Sequence, residues 1–373
     1  MAQPTSPSAP AGARPSRPVM PDFDEAPFLV IWEVTRACDL ACRHCRAEAV
    51  GQRHPAELTT DEGMALLADI RRFGRPLLVL TGGDPLKRPD LFELIAEAKA
   101  LGLPPGLSPS GTPLLTRAAI ARARDAGAGI VSISFDAPTP EAHDAFRGVA
   151  GSFARSVRAA RDVCELGLRL QVNSVVTRAS RADLPRMAEL VAGLGAARWE
   201  VFVLVPTGRG RAVEGLDADA GEAALHTLYQ LGENAPFHLT VVEAPHYRRV
   251  AIERLAARTG RPPLAVLADT TSGGGRFLPG MNDGKGFAFV SHTGAVQPSG
   301  FLPLSGGNVR SRSIVDVYRE APLFRALRDP ERLEGKCGRC PFRGVCGGSR
   351  ARAYALTGNP FASDPTCAYE PAA

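Results

Sequence analysis

The 373-residue sequence predicts an α/β fold: a parallel sheet curling into a partial or full barrel, then a small irregular domain rich in cysteine. Three observations predict it. From about residue 28 to 245, near-continuous Val/Ile/Leu runs alternate with amphipathic stretches, the pattern of strands buried on both faces between crossover helices. Six or seven such units are present, enough to curl a sheet into a barrel whose chemistry lies on the loops after the strand ends. Beyond about residue 258, Gly and Pro concentrate, and a second group of cysteines appears near the C-terminus.

The expected strands, in order, are FLVIWEV (28–34), PLLVLTGG (76–83), a weaker PGLSPSG (105–111), GIVSISFD (129–136), LRLQVNSVV (168–176), WEVFVLVP (199–206) and FHLTVVEA (237–244). Helices are expected at 59–74, 89–102, 116–127, 153–167 and 183–195, several with a polar residue at the start and Gly at the end. The stretch 260–286 reads as loop, FAFVSHTGAVQPSG as a hairpin turning at Thr293-Gly294, and 313–328 as one helix. The implied organisation is a leader over 1–24, a barrel over 25–258 and a cysteine-rich domain over 259–373. The leader is Pro/Ala/Ser-rich, without the apolar segment of a secretory signal, and reads as disordered.

The net charge is +5, and lysine occurs only at Lys87, Lys99, Lys285 and Lys336. The many arginines are scattered rather than clustered, which argues against a nucleic-acid surface and suits an acidic small substrate. No apolar run approaches the roughly 18 residues of a membrane span. Clustered cysteines without a secretory signal point to metal or redox chemistry in a reducing cytoplasm.

Cys38, Cys42 and Cys45 form a C-x3-C-x2-C set directly after the first strand. Three thiolates are one short of a structural zinc site. They suffice for a cubane iron–sulfur cluster if one iron is left to bind something else. This motif, at this place in an α/β barrel, resembles the radical S-adenosylmethionine (SAM) superfamily. The resemblance implies a partial (βα)6 barrel in which Cys38, Cys42 and Cys45 hold a 4Fe-4S cluster. Its fourth iron chelates SAM, and one electron cleaves the sulfonium to give methionine and a 5′-deoxyadenosyl radical that abstracts hydrogen. A reducing partner such as flavodoxin or ferredoxin is implied with it.

The same resemblance gives TGGDP its meaning. Gly82, Gly83 and Asp84 match the segment holding the SAM amino group, where glycines let the backbone approach and the carboxylate accepts from the ammonium. Ser134 and Asp136 match a Ser-x-Asp segment near the SAM ribose or the substrate, with helix capping as the alternative for Asp136. Ser110 in SPSG, Asn173 and PTGRG (206–210) lie at later strand ends, where cofactor contacts are expected. His44 is either a neighbour of the adenine or a plain loop histidine. Cys164, on an amphipathic helix, reads as packing.

Cys337, Cys340, Cys346 and Cys367 give C-x2-C-x5-C-x20-C. Spacing alone favours zinc. The resemblance extends to radical SAM enzymes with a SPASM-type C-terminal domain, and there it implies a second, auxiliary 4Fe-4S cluster. WEVTRACDLACRHC, SHTGAVQPSGFLPL, GNVR and CGGSRARAYALTG resemble enzymes of alternative heme and heme d1 biosynthesis over most of residues 28–370. Those enzymes generally carry cysteine where this chain has Ser299 and Ser349, so a further auxiliary cluster is not expected. Its place should be open to substrate or filled by side chains. His292 on the neighbouring hairpin is expected either to support the turn or to reach a polar substrate group or a metalloporphyrin iron. The implied substrate is a tetrapyrrole bearing propionates, which arginines can pair. The alternative is a ribosomally made peptide.

Overall fold

The computed structural model describes residues 21–271 and 280–372. One sheet of ten strands organises it, in the order β10-β9-β8-β1-β2-β3-β4-β5-β6-β7. β1 (Leu29–Glu33), β2 (Leu77–Thr81), β3 (Pro105–Leu107), β4 (Ile130–Ser134), β5 (Arg169–Val176), β6 (Arg198–Val203) and β7 (His238–Val242) follow the seven expected runs and pair in parallel, each with the next. This is the α/β barrel sheet the apolar alternation predicts. The later strands are β8 (Phe287–Val290), β9 (Ala295–Gln297) and β10 (Gly307–Asn308). β8 and β9 form the expected antiparallel hairpin, with Gly294 in the left-handed conformation at its turn.

All five expected helices form, two of them at side-chain caps. Thr59 and Glu62 make a reciprocal capping box at the start of Thr60–Arg71. Thr116 caps Arg117–Ala126, which Gly127 ends in the left-handed conformation. Helices Pro140–Arg147, Ala218–Glu233 and Tyr247–Thr259 were not foreseen. The first is short, and its Thr139-Pro140 start reads equally well as a turn.

Two element expectations change. The loop-like stretch contains a helix, Pro263–Thr271, which Pro263 can start because a first-turn N–H has no helical partner; residues 272–279 lie outside the described residues. The single helix over 313–328 is two, Ile314–Glu320 and Pro322–Arg328, since Pro322 cannot continue the first. The helix Tyr247–Thr259 ends beside the expected boundary at 258/259. The cysteine-rich part does not stand apart, because β8 pairs in parallel with β1 and carries the barrel sheet onward.

Nor is the end of the leader separate. Residues 1–20 lie outside the described residues, but Phe23 packs against Gly286 and Asp24 pairs with Arg328 at 2.8 Å. Tyr318 fastens this corner: its hydroxyl donates to Phe23 O (2.8 Å) and accepts from Gly286 N (3.0 Å). Its ring belongs to the core shared by β1, β2, β8 and the first two helices. Tyr318→Phe keeps the ring and strands both backbone groups, so it should cost about 1–3 kcal/mol, read as a lower urea midpoint with unchanged slope.

Candidate active site

The loop from Val34 to Val50 leaves β1 at the C-terminal edge of the sheet and carries the first three cysteines. Its backbone is bonded to the end of β2: Gly83 N donates to Thr35 O (2.8 Å) and Asp84 N to Ala37 O (2.6 Å). A Cβ on Gly82 would sit 2.5 Å from Thr35 O, and one on Gly83 2.6 Å from the carbonyls of Arg36 and Ala37. The glycines thus serve the close approach of two loops. From the far side, Arg209 donates through Nε to Cys42 O (2.9 Å) and Nη1 to Ala49 O (3.2 Å).

The three thiols line one cavity of about 220 Å³. Leu40 N points at Cys38 Sγ (3.4 Å), Ala49 N at Cys45 Sγ (3.4 Å) and Arg147 Nη1 at Cys42 Sγ (3.7 Å). Burial pushes the Cys38 and Cys42 thiols up. Among the described residues, no three His, Cys, Asp or Glu side chains are gathered to hold a single metal ion. N–H donors aimed at three sulfurs that line one cavity fit a cluster, whose sulfurs take such hydrogen bonds.

Gly82, Gly83, Ser110, Ser134, Asp136 and Asn173 line the same cavity. Ser110 Oγ donates to Gly83 O (2.5 Å) and lies 3.6 Å from Cys38 Sγ. Asn173 Oδ1 accepts from Gln171 (2.9 Å). Asp84 does not line the cavity; its fully buried carboxylate takes bonds from Thr112 Oγ1 (2.6 Å), Leu86 N (3.2 Å) and Ser110 N (3.4 Å). It braces the loop rather than presenting a charge, because the turn Pro85–Lys87 needs it as a cap.

Asp136 is paired with Arg147 at 2.6 Å and accepts from Val175 N (3.0 Å). Burial pushes its carboxyl up, but Arg147, His44 and His143 more than offset this and hold it below the usual range. His44 lines the cavity and stacks on Phe146 with ring centres 4.6 Å apart. Sequence reasoning missed Arg147, Arg209 and Arg46. Arg147 meets Cys42 across 105 positions, a pairing with no local signal, whereas Arg209 lies within the PTGRG segment expected near the site.

Cys337, Cys340, Cys346 and Cys367 form the second group. Asp364 N (3.5 Å) and Arg350 Nη2 (3.8 Å) point at Cys337 Sγ, and Gly348 N at Cys346 Sγ (3.4 Å). Burial and neighbouring thiol charges push Cys346 up to about 12 and Cys367 up to about 11. Without a metal such thiols stay protonated at neutral pH; a bound metal would have to displace those protons and would then hold them deprotonated. Ser299 and Ser349 are buried, and side chains fill their surroundings: Ser349 Oγ donates to Glu243 Oε2 (2.6 Å) and Ser299 Oγ accepts from Phe301 N and Leu302 N (3.2 Å each). His292 Nδ1 is bonded to Glu33 (2.8 Å), and the ring does not line the cavity. Cys164 lies exposed on its helix.

A family model described as the Radical SAM superfamily matches residues 32–191. An AdoMet-dependent heme synthase of Oleidesulfovibrio alaskensis is 41% identical over 363 residues, covering 97% of this chain and 92% of the relative. The chain belongs to the radical SAM superfamily. A pre-heme d1 synthase of Dinoroseobacter shibae is 31% identical, covering 91% of this chain and 85% of that protein. Among solved structures, Streptococcus suis SuiB bound to the precursor peptide SuiA superposes with a TM-score of 0.70, 92% coverage of this chain, 76% of that chain and 16% identity, a likeness of fold. This radical SAM enzyme therefore combines a parallel α/β barrel sheet with a cysteine-rich C-terminal region. No helix among the described residues is long and apolar enough to cross a membrane.

Two outcomes follow from the site's charges. Arg147→Met leaves Asp136 buried without its partner and should cost about 3–5 kcal/mol; adding Asp136→Asn should recover most of that, measured by urea denaturation. Burial holds His44, His143 and His246 down to about 4, from an ordinary 6.5. Between those values the unfolded chain binds more protons, so stability should fall steadily as pH drops from 6.5 toward 4. A denaturation midpoint constant across that window would show that the rings charge in place.

Proposed function

We propose that this radical SAM enzyme acts on a heme-type tetrapyrrole, removing or oxidising a propionate side chain. The observation that carries the reading is the 41% identity, across 97% of the chain, to an AdoMet-dependent heme synthase. The cavity supports it, since Arg46, Arg147 and Arg209 all line it. Arg209 Nη2 is buried and has no partner, which suits a carboxylate of the substrate or of SAM.

In this reading Cys38, Cys42 and Cys45 hold a 4Fe-4S cluster, and Cys337, Cys340, Cys346 and Cys367 hold a second. When bound, the first supplies one electron to SAM, whose cleavage gives methionine and a 5′-deoxyadenosyl radical that takes hydrogen from the substrate. The protein's own residues bind and orient. Gly82 and Gly83 offer backbone beside the thiols, Ser110 ties that backbone to Cys38, and Ser134, Asp136 and Asn173 line the wall for SAM or substrate. Phe202 and Phe301, also at the cavity, shield the radical from water. A reducing protein such as flavodoxin or ferredoxin supplies electrons, and the eight free thiols suit a reducing cytoplasm.

Anaerobic reconstitution should load about eight irons per chain, as two four-iron clusters require. Replacing Cys38, Cys42 and Cys45 by Ala should remove about half and abolish SAM cleavage. With an iron porphyrin carrying propionates, the wild type should form 5′-deoxyadenosine together with a product lighter by carbon dioxide and two hydrogens for each propionate converted, one hydrogen leaving in the 5′-deoxyadenosine and the other as a proton and an electron. SAM cleavage that leaves every porphyrin unchanged, alongside modification of a peptide, would move the substrate to the peptide class.

A further inference from the structure

Between the cavity and the four-cysteine group lies a buried polar cluster that the reaction above does not use. Glu243 follows β7 and holds φ at +58°, a left-handed backbone uncommon outside glycine and a mark of functional constraint. Its carboxyl accepts from Ser349 Oγ (2.6 Å) and faces Asp283. Asp283 is 5% exposed and accepts from Ala351 N (2.9 Å) at the start of helix Arg350–Thr357 and from Ser299 Oγ.

The cluster is joined at both ends. Toward the cysteines, Ser349 N donates to Asp364 Oδ2 (2.8 Å), and Asp364 N points at Cys337 Sγ. Toward the cavity, Ser299 Oγ accepts from the backbone N–H of Phe301, which lines it, and Arg352 reaches Leu204 O (3.3 Å) and Glu243 O (2.5 Å). Two carboxylates that face each other in protein surroundings do not both ionise readily. Helix N–H groups and a hydroxyl favour the charge on Asp283, which leaves the proton on Glu243.

We propose that Glu243 and Asp283 hold one proton between them and exchange it with water as the charge at the four-cysteine group changes. This rests on the reading above that those cysteines carry a redox group. The balance is one electron and at most one proton. The electron comes from a one-electron donor: the substrate-centred carbon radical in the enzyme, or a low-potential chemical reductant in the test. The donor is oxidised and the cysteine-bound group is reduced; where Glu243 starts ionised a proton from water forms one O–H bond on its carboxyl, and where it already carries the proton only the electron moves. Glu243 as a residue is only partly buried. Asp283 faces it from the segment before β8, Arg352 from helix Arg350–Thr357 and Asp364 from the tail; Arg350 faces Asp283, and His246 and Arg352 face Asp364. Burial and the Asp283 charge push Glu243 up to about 8.

Two measurements on the reconstituted holoprotein test this. Infrared spectra across pH should show one protonated carboxyl below about pH 8 that is lost above it and absent in Glu243→Gln. This readout does not depend on which metal the cysteines hold. Redox titration followed by electron paramagnetic resonance should give a potential for the four-cysteine group that is flat below about pH 8. Above it, the potential should fall by a factor of ten in equilibrium constant per pH unit, about 59 mV. The bend should vanish in Glu243→Gln and move to lower pH in Asp283→Asn, which also serves if the first variant does not fold. A flat wild-type profile, no protonated carboxyl, or an unchanged bend in both variants would overturn the proposal. A missing second resonance signal overturns the redox coupling through loss of the cluster reading itself, and the infrared result separates that case.

Discussion

Two backbone hydrogen bonds hold the site together: Gly83 N to Thr35 O and Asp84 N to Ala37 O. They fasten the thiol-bearing loop after β1 to the end of β2 at a distance no side chain at Gly82 or Gly83 would allow. Everything the loop presents depends on that contact, because a loop with its own backbone unpaired would move its donors away from the sulfurs. Asp84 extends the brace sideways to Thr112 and Ser110, so the third strand end is placed by the second. The cavity is thus assembled in sequence around the sheet, each strand end fixing its neighbour.

Much of this was legible beforehand, for physical reasons that can be named. The seven parallel strands announced themselves because strands buried on both faces must be apolar throughout, and their helices because Thr59 and Thr116 are chemically marked starts. The cysteine spacing was legible because thiols that share a metal group must be near in sequence or held by rigid elements. What stayed hidden was long-range pairing. Nothing near Arg147 says that it answers Asp136 and Cys42, and nothing in TGGDP says that the carboxylate faces inward as a brace. The helix Pro263–Thr271 was hidden by the Gly and Pro around it, and the split at Pro322 by an amphipathic period that runs on through the break.

The C-terminal part serves the barrel as well as its own cysteines. Helix Ile314–Glu320 joins the core of the first two barrel helices, Arg310 reaches Glu62 (2.6 Å), and Arg352 bonds to carbonyls of the loop after β6. Glu33, at the end of β1, is held between Arg46 at the cavity and His292 on the hairpin. These contacts replace a hinged linker with shared structure, so the two thiol groups sit in one rigid frame.

The parallel pairing of Val30 with Ala288 also bears on how the chain is made. β1 leaves the ribosome before the other described strands, yet one of its two edges has no partner until β8 follows. At about 5–20 residues per second the wait is roughly ten seconds to a minute. During that time the strand bearing the first thiols has an open hydrogen-bonding edge, the kind of surface that recruits other chains. Closing it joins segments far apart in sequence, a slow step on entropic grounds. The order of assembly is therefore built into the topology: the thiol loop reaches its final support only after β8 has been synthesised, and the nascent protein depends on its surroundings to keep those sulfurs reduced and that edge unpaired until then.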